Sequence, residues 1–439
     1  MLWLGIAIIL VTFWMLYKNY EARLVLVVSG IVMAVLAQFA GTSVSLTSVV
    51  NAFINQLINP GLVTVITTVM GFGYVMTYTK CSDHLVNALV RPLTKVPMIV
   101  IPGTVLITWF LNVILPSAAG IAASVGVLLI PALIALKVRP VMAAAAVFLG
   151  TWGSVISPGN PFNPQIASIA HKTGEILEPD LMIVIAQEFV PSCLGILVAT
   201  IALTILCKFK NEGVGSTVTN DDAAQEGKAF KVNPLMAIIP IVPLFLLIIA
   251  SKQVGWLPTK TFSVPVCMLL GTALGLVAAL VNKQKIGDAS KKFCKGAGDG
   301  FCDVVVLMAA AALFAAGMKA IGLTGAIVDA MKGSQEVAMF SAAIGPCAMA
   351  TLTGSGNAAA IAFNEAITPY AADFGLTVVQ LGSVAQIAAG IGRSMSPIAG
   401  GVIILAGIAG VNPMEIVKRT ALPCVLALIV VSVGMFTLN

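Results

Sequence analysis

Leu115-Pro116-Ser117-Ala118-Ala119-Gly120 and Thr351-Leu352-Thr353-Gly354-Ser355-Gly356-Asn357 decide the fold. Each run of small and polar residues interrupts an apolar segment, 97–136 in one case and 336–372 in the other, that is too long for a single membrane pass. At about 1.5 Å rise per residue the halves are short for full spans. Each segment is therefore expected to be a re-entrant hairpin. Irregular backbone at such depth is tolerated only when buried in protein or lining a cavity.

The rest of the chain sets the solvent. Of its 439 residues, 59% are apolar and 10% charged, against about a quarter charged in an average soluble protein. Apolar runs of spanning length recur at 2–17, 23–40, 61–79, 140–157, 181–207, 234–250, 262–281, 302–319, 378–408 and 414–437. The class is an all-α polytopic membrane protein with about ten spanning helices plus two hairpins. The first helix lacks a basic leader and is read as retained, not as a signal peptide. The net charge of +6 is read as positive charge on cytoplasmic loops rather than as a nucleic-acid surface. The eight cysteines form no CxxC pair or Cys/His cluster, so no disulfide framework or metal site is expected.

Charge then sets orientation. With both termini outside and both long segments as hairpins, eighteen of the Lys and Arg residues fall inside, Arg91, Lys95, Lys137 and Arg139 among them. Lys172, Lys252, Lys260, Lys319 and Lys332 fall outside, and Arg393 stays within the membrane. That is the positive-inside asymmetry.

The chain also repeats itself. Ser117 is followed after fourteen residues by Pro131, and Ser355 after fourteen by Pro369. Gly153-Ser154-Val155-Ile156-Ser157-Pro158 matches Gly392-Arg393-Ser394-Met395-Ser396-Pro397, and Pro191-Ser192-Cys193 resembles Leu422-Pro423-Cys424. Residues 1–207 and 234–439 are two repeats of opposite orientation, each with a hairpin and a broken helix; 208–233 is a cytoplasmic linker, read as disordered over 211–230. An inverted repeat marks secondary transporters. The stretches 41–60 and 283–300 are read as interfacial helices, and Gly296, Gly298 and Gly300 as a hinge rather than a phosphate loop.

The breaks should meet near the midplane. Pro158 and Pro397 free carbonyls, and the second hairpin arms point helix N-termini into the site, where anions are favoured. Arg393 is read as a substrate contact, since a guanidinium bonds a carboxylate bidentately; the alternative is a structural arginine paired with Glu365 or with hairpin carbonyls. Its counterpart in the first repeat is Ser154. Ser117, Ser355, Thr353 and Asn357 at the tips are candidates for binding substrate or a cation, or for helix capping. Ser157, Asn160, Ser394 and Ser396 at the breaks complete the set, with Asn163 as site or loop. Glu365 is a candidate for proton coupling, or a structural partner. His84 and His171 are expected in solvated loops, and Glu188 is given no role.

These motifs, with Gly150-Thr151-Trp152-Gly153-Ser154 through Ser157-Pro158-Gly159-Asn160-Pro161, resemble DcuC-type anaerobic dicarboxylate transporters of the ion transporter superfamily. The resemblance covers nearly the whole chain. It implies a bacterial inner-membrane carrier of succinate, fumarate or malate, chiefly for succinate efflux or exchange. It implies an elevator-like mechanism, a scaffold (1–79, 181–207, 234–319, 414–439) and a transport domain (91–180, 333–410), and a homodimer. Sodium-coupled relatives carry Ser-Asn-Thr at both tips. Here the tips read Ser117-Ala118-Ala119 and Ser355-Gly356-Asn357, which argues against Na+ and for H+ coupling or exchange. A carrier of amino acids or peptides is the alternative, and an ion channel a further one. No nucleophile elbow or zincin motif supports an enzyme.

Overall fold

The structure, a computed structural model, describes residues 2–18, 20–42, 44–93, 96–216, 231–251, 254–258, 261–331 and 334–437. Residues 217–230 of the expected linker, and Lys95, Lys228, Lys252, Lys260 and Lys332 of the charge tally, lie outside them. Every regular element among the described residues is a helix, and eight helices are long and apolar enough to cross a membrane.

Both expected breaks are present. The first segment divides into Val100–Ile114 and Ala118–Ala135, the second into Gln335–Thr353 and Gly356–Ala366. The turns are built differently. Pro116 stops the first leading arm, and Ser117 caps the trailing arm by accepting from the Gly120 N–H. The second turn needs a left-handed residue, supplied by Gly354 at φ +71°; Ser355 then caps the trailing arm through the Ala358 N–H. The arms are unequal, however. Ala118–Ala135 and Gln335–Thr353 are each long enough by length alone to cross a membrane, so the expectation of four short halves holds for only two of them.

The broken helices follow. Pro140–Leu149 tightens into a 3-10 segment, Gly150–Ile156, before the chain turns into Phe162–Lys172; Val378–Arg393 stops before Gly400–Ala409. In both repeats the break packs on the leading arm through a glycine with no room for a side chain. A Cβ at Gly153 would sit 2.2 Å from the Trp109 carbonyl oxygen, and one at Gly392 2.3 Å from that of Cys347. Trp109 and Cys347 both stand eight residues before their tip serine. Such small-residue contacts are how helices associate where lipid gives no hydrophobic drive.

Packing places most helices in two groups, which meet where Gly356–Ala366 lies against Val306–Ala320. Ala22–Phe39 crosses Val306–Ala320 at Gly30 and Gly317, and Pro60–Tyr78 lies along Val264–Val281 and Ile286–Gly300. The arms and broken helices pack on one another. Leu181–Phe209 and Pro413–Thr437, which the sequence grouped with the scaffold, pack against each other and against the broken helices instead.

Four local expectations are corrected. The stretch 283–300 is no separate interfacial helix: Ile286–Gly300 continues through a π-helical turn, Phe301–Val305, into one apolar-ended helix of 35 residues, Ile286–Ala320. Gly296 and Gly300 are packing sites rather than a hinge, since a Cβ at Gly296 would lie 2.6 Å from the Met70 carbonyl oxygen. His84 is buried in a helix, Cys81–Leu93, and its Nδ1 accepts the Asn233 N–H at 3.0 Å. The linker is ordered at its start: Glu212 is buried, bonds Arg419 at 2.6 and 3.2 Å, and lies 3.5 Å from Arg139.

Candidate functional site

The two tips and the two breaks enclose one cavity of about 370 Å³. Ser117, Ala118 and Ala119 bring the N-terminus of one trailing arm to it; Ser355, Gly356 and Asn357 bring the other. Ser154 and Asn160 line it from the first break, and Arg393 from the second. Ile66, Met70, Asp303 and Val304 close it from the opposing helices. Two sets of helix N–H groups and one guanidinium therefore converge on a single volume, an arrangement suited to anions.

Side chains hold the breaks in place. Asn112 of the first leading arm accepts the Ser154 N–H (2.9 Å) and donates to the Leu115 carbonyl (3.1 Å). In the second repeat Thr351 donates to the Gly392 carbonyl (3.0 Å). Each leading arm is thus fastened to its own broken helix by one polar residue.

Arg393 joins the repeats. Its Nη2 donates to the Thr151 carbonyl at 2.7 Å, an oxygen on the 3-10 segment of the first broken helix. Its Nε is buried without a partner, and among the described residues no carboxylate pairs with it. The alternative of an Arg393–Glu365 pair is overturned. The Glu365 carboxylate accepts instead from Gln56 (2.8 Å) and Gln165 (2.7 Å), and Glu365 does not line the cavity. A guanidinium lacking a counter-ion is costly within a membrane, and this half-buried one faces an open volume.

The other candidates sit behind the wall. Thr353 accepts the Ser355 N–H and donates to the Met349 carbonyl, so it shapes the turn. Ser157 accepts the Gly159 N–H. Ser394 and Ser396 are fully buried; the Ser394 carbonyl accepts from Thr420 at 2.8 Å, and the Ser396 hydroxyl has no partner. The serines at both tips cap helices, as the alternative reading held, and line the cavity as well.

Two residues at the cavity went unread in the sequence. Gln386 lines the wall; it donates to Asn163 at 2.7 Å and, through a very short contact, to Glu188. Gln386, Asn163 and Glu188 are all buried. Asp303 reaches the rim, while Arg23 bonds it at 3.1 Å and the Cys302 carbonyl at 2.7 Å. A glutamine deep inside an apolar run, and a lone acid near the start of another, were the available signals.

Residues 2–439 match the family DcuC, C4-dicarboxylate anaerobic carrier. The anaerobic C4-dicarboxylate transporter DcuC of Escherichia coli K12 is 26% identical over 459 aligned positions, covering 98% of this chain and 95% of its own length. A putative uncharacterized transporter of Haemophilus influenzae is 36% identical over 285 positions, 64% of this chain and all of its own. Among solved structures, the YdaH transporter of Alcanivorax borkumensis superposes with a TM-score of 0.59 at 15% identity, over 89% of this chain and 86% of that one; the likeness is one of fold.

Proposed function

We propose that this chain, which belongs to the DcuC family of C4-dicarboxylate anaerobic carriers, is a secondary transporter of succinate, fumarate and malate that works chiefly in succinate efflux or exchange. The observation that carries the reading is Arg393: a guanidinium without a counter-ion, facing a cavity lined by two helix N-termini. One substrate carboxylate takes Arg393 and the other takes the amides of a tip. Ser117, Ser355, Asn357, Ser154 and Asn160 contribute hydroxyl and amide groups from the wall. Thr353, Ser157, Ser394 and Ser396 act at one remove, by fixing the turns.

The movement is elevator-like. Arms, broken helices, Leu181–Phe209 and Pro413–Thr437 form the moving body, since they pack together; the helices within 2–78 and 234–320 form the frame. The two repeats lie inverted in a bacterial inner membrane with both termini periplasmic, and the carrier is a homodimer. Arg139, Glu212 and Arg419 meet in one cluster, which supports placing all three on the cytoplasmic side. Glu365 joins the frame helix Leu46–Leu57, through Gln56, to the body, through Gln165. We assign it to that contact rather than to the cavity. The tips favour H+ coupling or exchange over Na+.

The test is uptake of radiolabelled succinate into proteoliposomes, with and without succinate inside. Saturable uptake that Arg393→Ala abolishes, in a protein that still elutes as a folded species, is the expected result. No succinate transport by folded wild type overturns the dicarboxylate assignment and turns attention to amino acids.

A further inference from the structure

Glu188 is fully buried in Leu181–Phe209, and no part of the reading above uses it. The elements around it bring no charge to it. Val378–Arg393 presents Gln386 and Ser383; Phe162–Lys172 presents Asn163. Val100–Ile114 and Pro140–Ile156 carry no charged residue. Of the other charges on the packed helices, Lys208 is exposed in the last turn of Leu181–Phe209 and His171 faces the Ile176 carbonyl. Arg393 bonds Thr151, Lys172 lies toward Glu365, and Arg419 and Lys418 hold Glu415, with Arg419 also on Glu212. Among the described residues Glu188 has no ion pair. An ionised carboxylate so placed costs several kcal/mol.

Its neighbour reaches the substrate. Gln386 is the member of the buried Glu188–Gln386–Asn163 chain that lines the cavity. Two oxygens of this chain lack partners, Glu188 Oε2 and Gln386 Oε1. One proton and one rotation of a carboxamide satisfy them. With Glu188 ionised, Gln386 Nε2 is held by the carboxylate. With Glu188 protonated, its O–H donates to Gln386 Oε1, and the amide N–H groups turn to the cavity, where an anion accepts them.

We propose that Glu188 is the proton-carrying group of the carrier and that Gln386 relays its protonation to the bound dicarboxylate. The proposal rests on the dicarboxylate reading. The proton moves from water to a Glu188 oxygen and leaves by the reverse step, with no other bond made or broken. Protonation supplies a donor to the substrate, so proton and dianion bind cooperatively and cross together.

The experiment compares two modes in sodium-free proteoliposomes. In counterflow, labelled succinate exchanges with internal succinate at equal pH. In net uptake, empty vesicles with an alkaline interior accumulate label. Wild type is expected to show both, with net uptake collapsing when the pH gradient is removed. Glu188→Gln mimics the protonated group; it is expected to continue counterflow and to lose all stimulation by the gradient. Counterflow itself reports folding. Should Glu188→Gln not assemble, Gln386→Met keeps the acid and removes the relay: counterflow slows and gradient stimulation is lost. Full gradient stimulation in either folded variant overturns the proposal. Wild-type counterflow without gradient stimulation also overturns it while leaving the dicarboxylate reading intact. Absence of wild-type counterflow removes both.

Discussion

Replacing Arg393 with methionine should make the empty carrier more stable and unable to bind succinate. The side chain has five N–H donors, and the protein takes one of them, for the Thr151 carbonyl at 2.7 Å. The Nε donor is buried without a partner, and no carboxylate neutralises the charge among the described residues. An unpaired buried charge costs several kcal/mol. Against that, methionine forfeits one hydrogen bond to a carbonyl, about 1.5–3 kcal/mol when the donor is charged. Arg393 is half-buried and lines the cavity, so the balance favours methionine by at most about 1–2 kcal/mol in the unloaded protein. The loaded protein behaves oppositely. Saturating succinate at 100 times its Kd should stabilise wild type by about 2.7 kcal/mol, and Arg393→Met not at all. Arg393→Lys keeps the charge but loses the fork, and with it one charge-assisted bond, so its Kd should rise roughly ten- to a hundredfold. The assay is thermal unfolding in detergent with and without succinate. A methionine variant that melts lower than wild type yet still gains stability from succinate would contradict both the cost assigned to the buried charge and its role in binding.

Glu212→Ala removes the carboxylate shared by Arg419 and Arg139. Because Glu415 still holds one side of Arg419, the loss should fall near the low end of the buried-pair range, about 3 kcal/mol, in chemical denaturation; a loss below about 1 kcal/mol would show the linker start to be passive. Gly153→Ala places a Cβ 2.2 Å from a backbone oxygen, whereas Gly345 in the second leading arm faces open space. The first should destabilise by about 3 kcal/mol or more and the second should gain about 0.5–1 kcal/mol, measured side by side by thermal unfolding. Burial holds His84, in the helix that follows Pro60–Tyr78, below its ordinary pKa. The unfolded chain therefore takes up a proton near 6.5 that the folded chain refuses, so the contribution of His84 is complete above that pH and fades as pH falls toward the lowered value. The melting temperature should drop between about pH 7.5 and about pH 5.5, and His84→Gln should flatten that slope; an equal slope in the variant would place the titration elsewhere.

The breaks were legible because a small polar run inside an apolar segment marks backbone that lipid cannot satisfy, so the chain must turn there within protein. Matching Gly153 to Gly392 also pointed to the correct place, and both proved to be contacts with the leading arm. The short helices Cys81–Leu93, Phe162–Lys172 and Leu323–Met331 were missed, since their mixed faces read as loop when the search is for continuous apolar length. The partner of Arg393 was not legible at all. Glu365 was the one acid clearly within a predicted span, but its helix turns the carboxylate toward Gln56 and Gln165. Glu188 was passed over for a similar reason: its significance lies in Gln386, nearly two hundred residues away and joined to it only by folding.

The helix Ile286–Ala320 has a further consequence. At 1.5 Å per residue its 35 residues run about 52 Å, far beyond the hydrocarbon layer of roughly 30 Å. Its apolar end fits that layer, and its first four turns carry Lys291, Lys292 and Lys295 on an exposed face. With the apolar end in that layer, those lysines would extend past it, where an acidic lipid headgroup attracts each by about 1 kcal/mol. On the proposed elevator reading this helix belongs to the frame, and the lipid composition around its basic end would then set how firmly that frame is held.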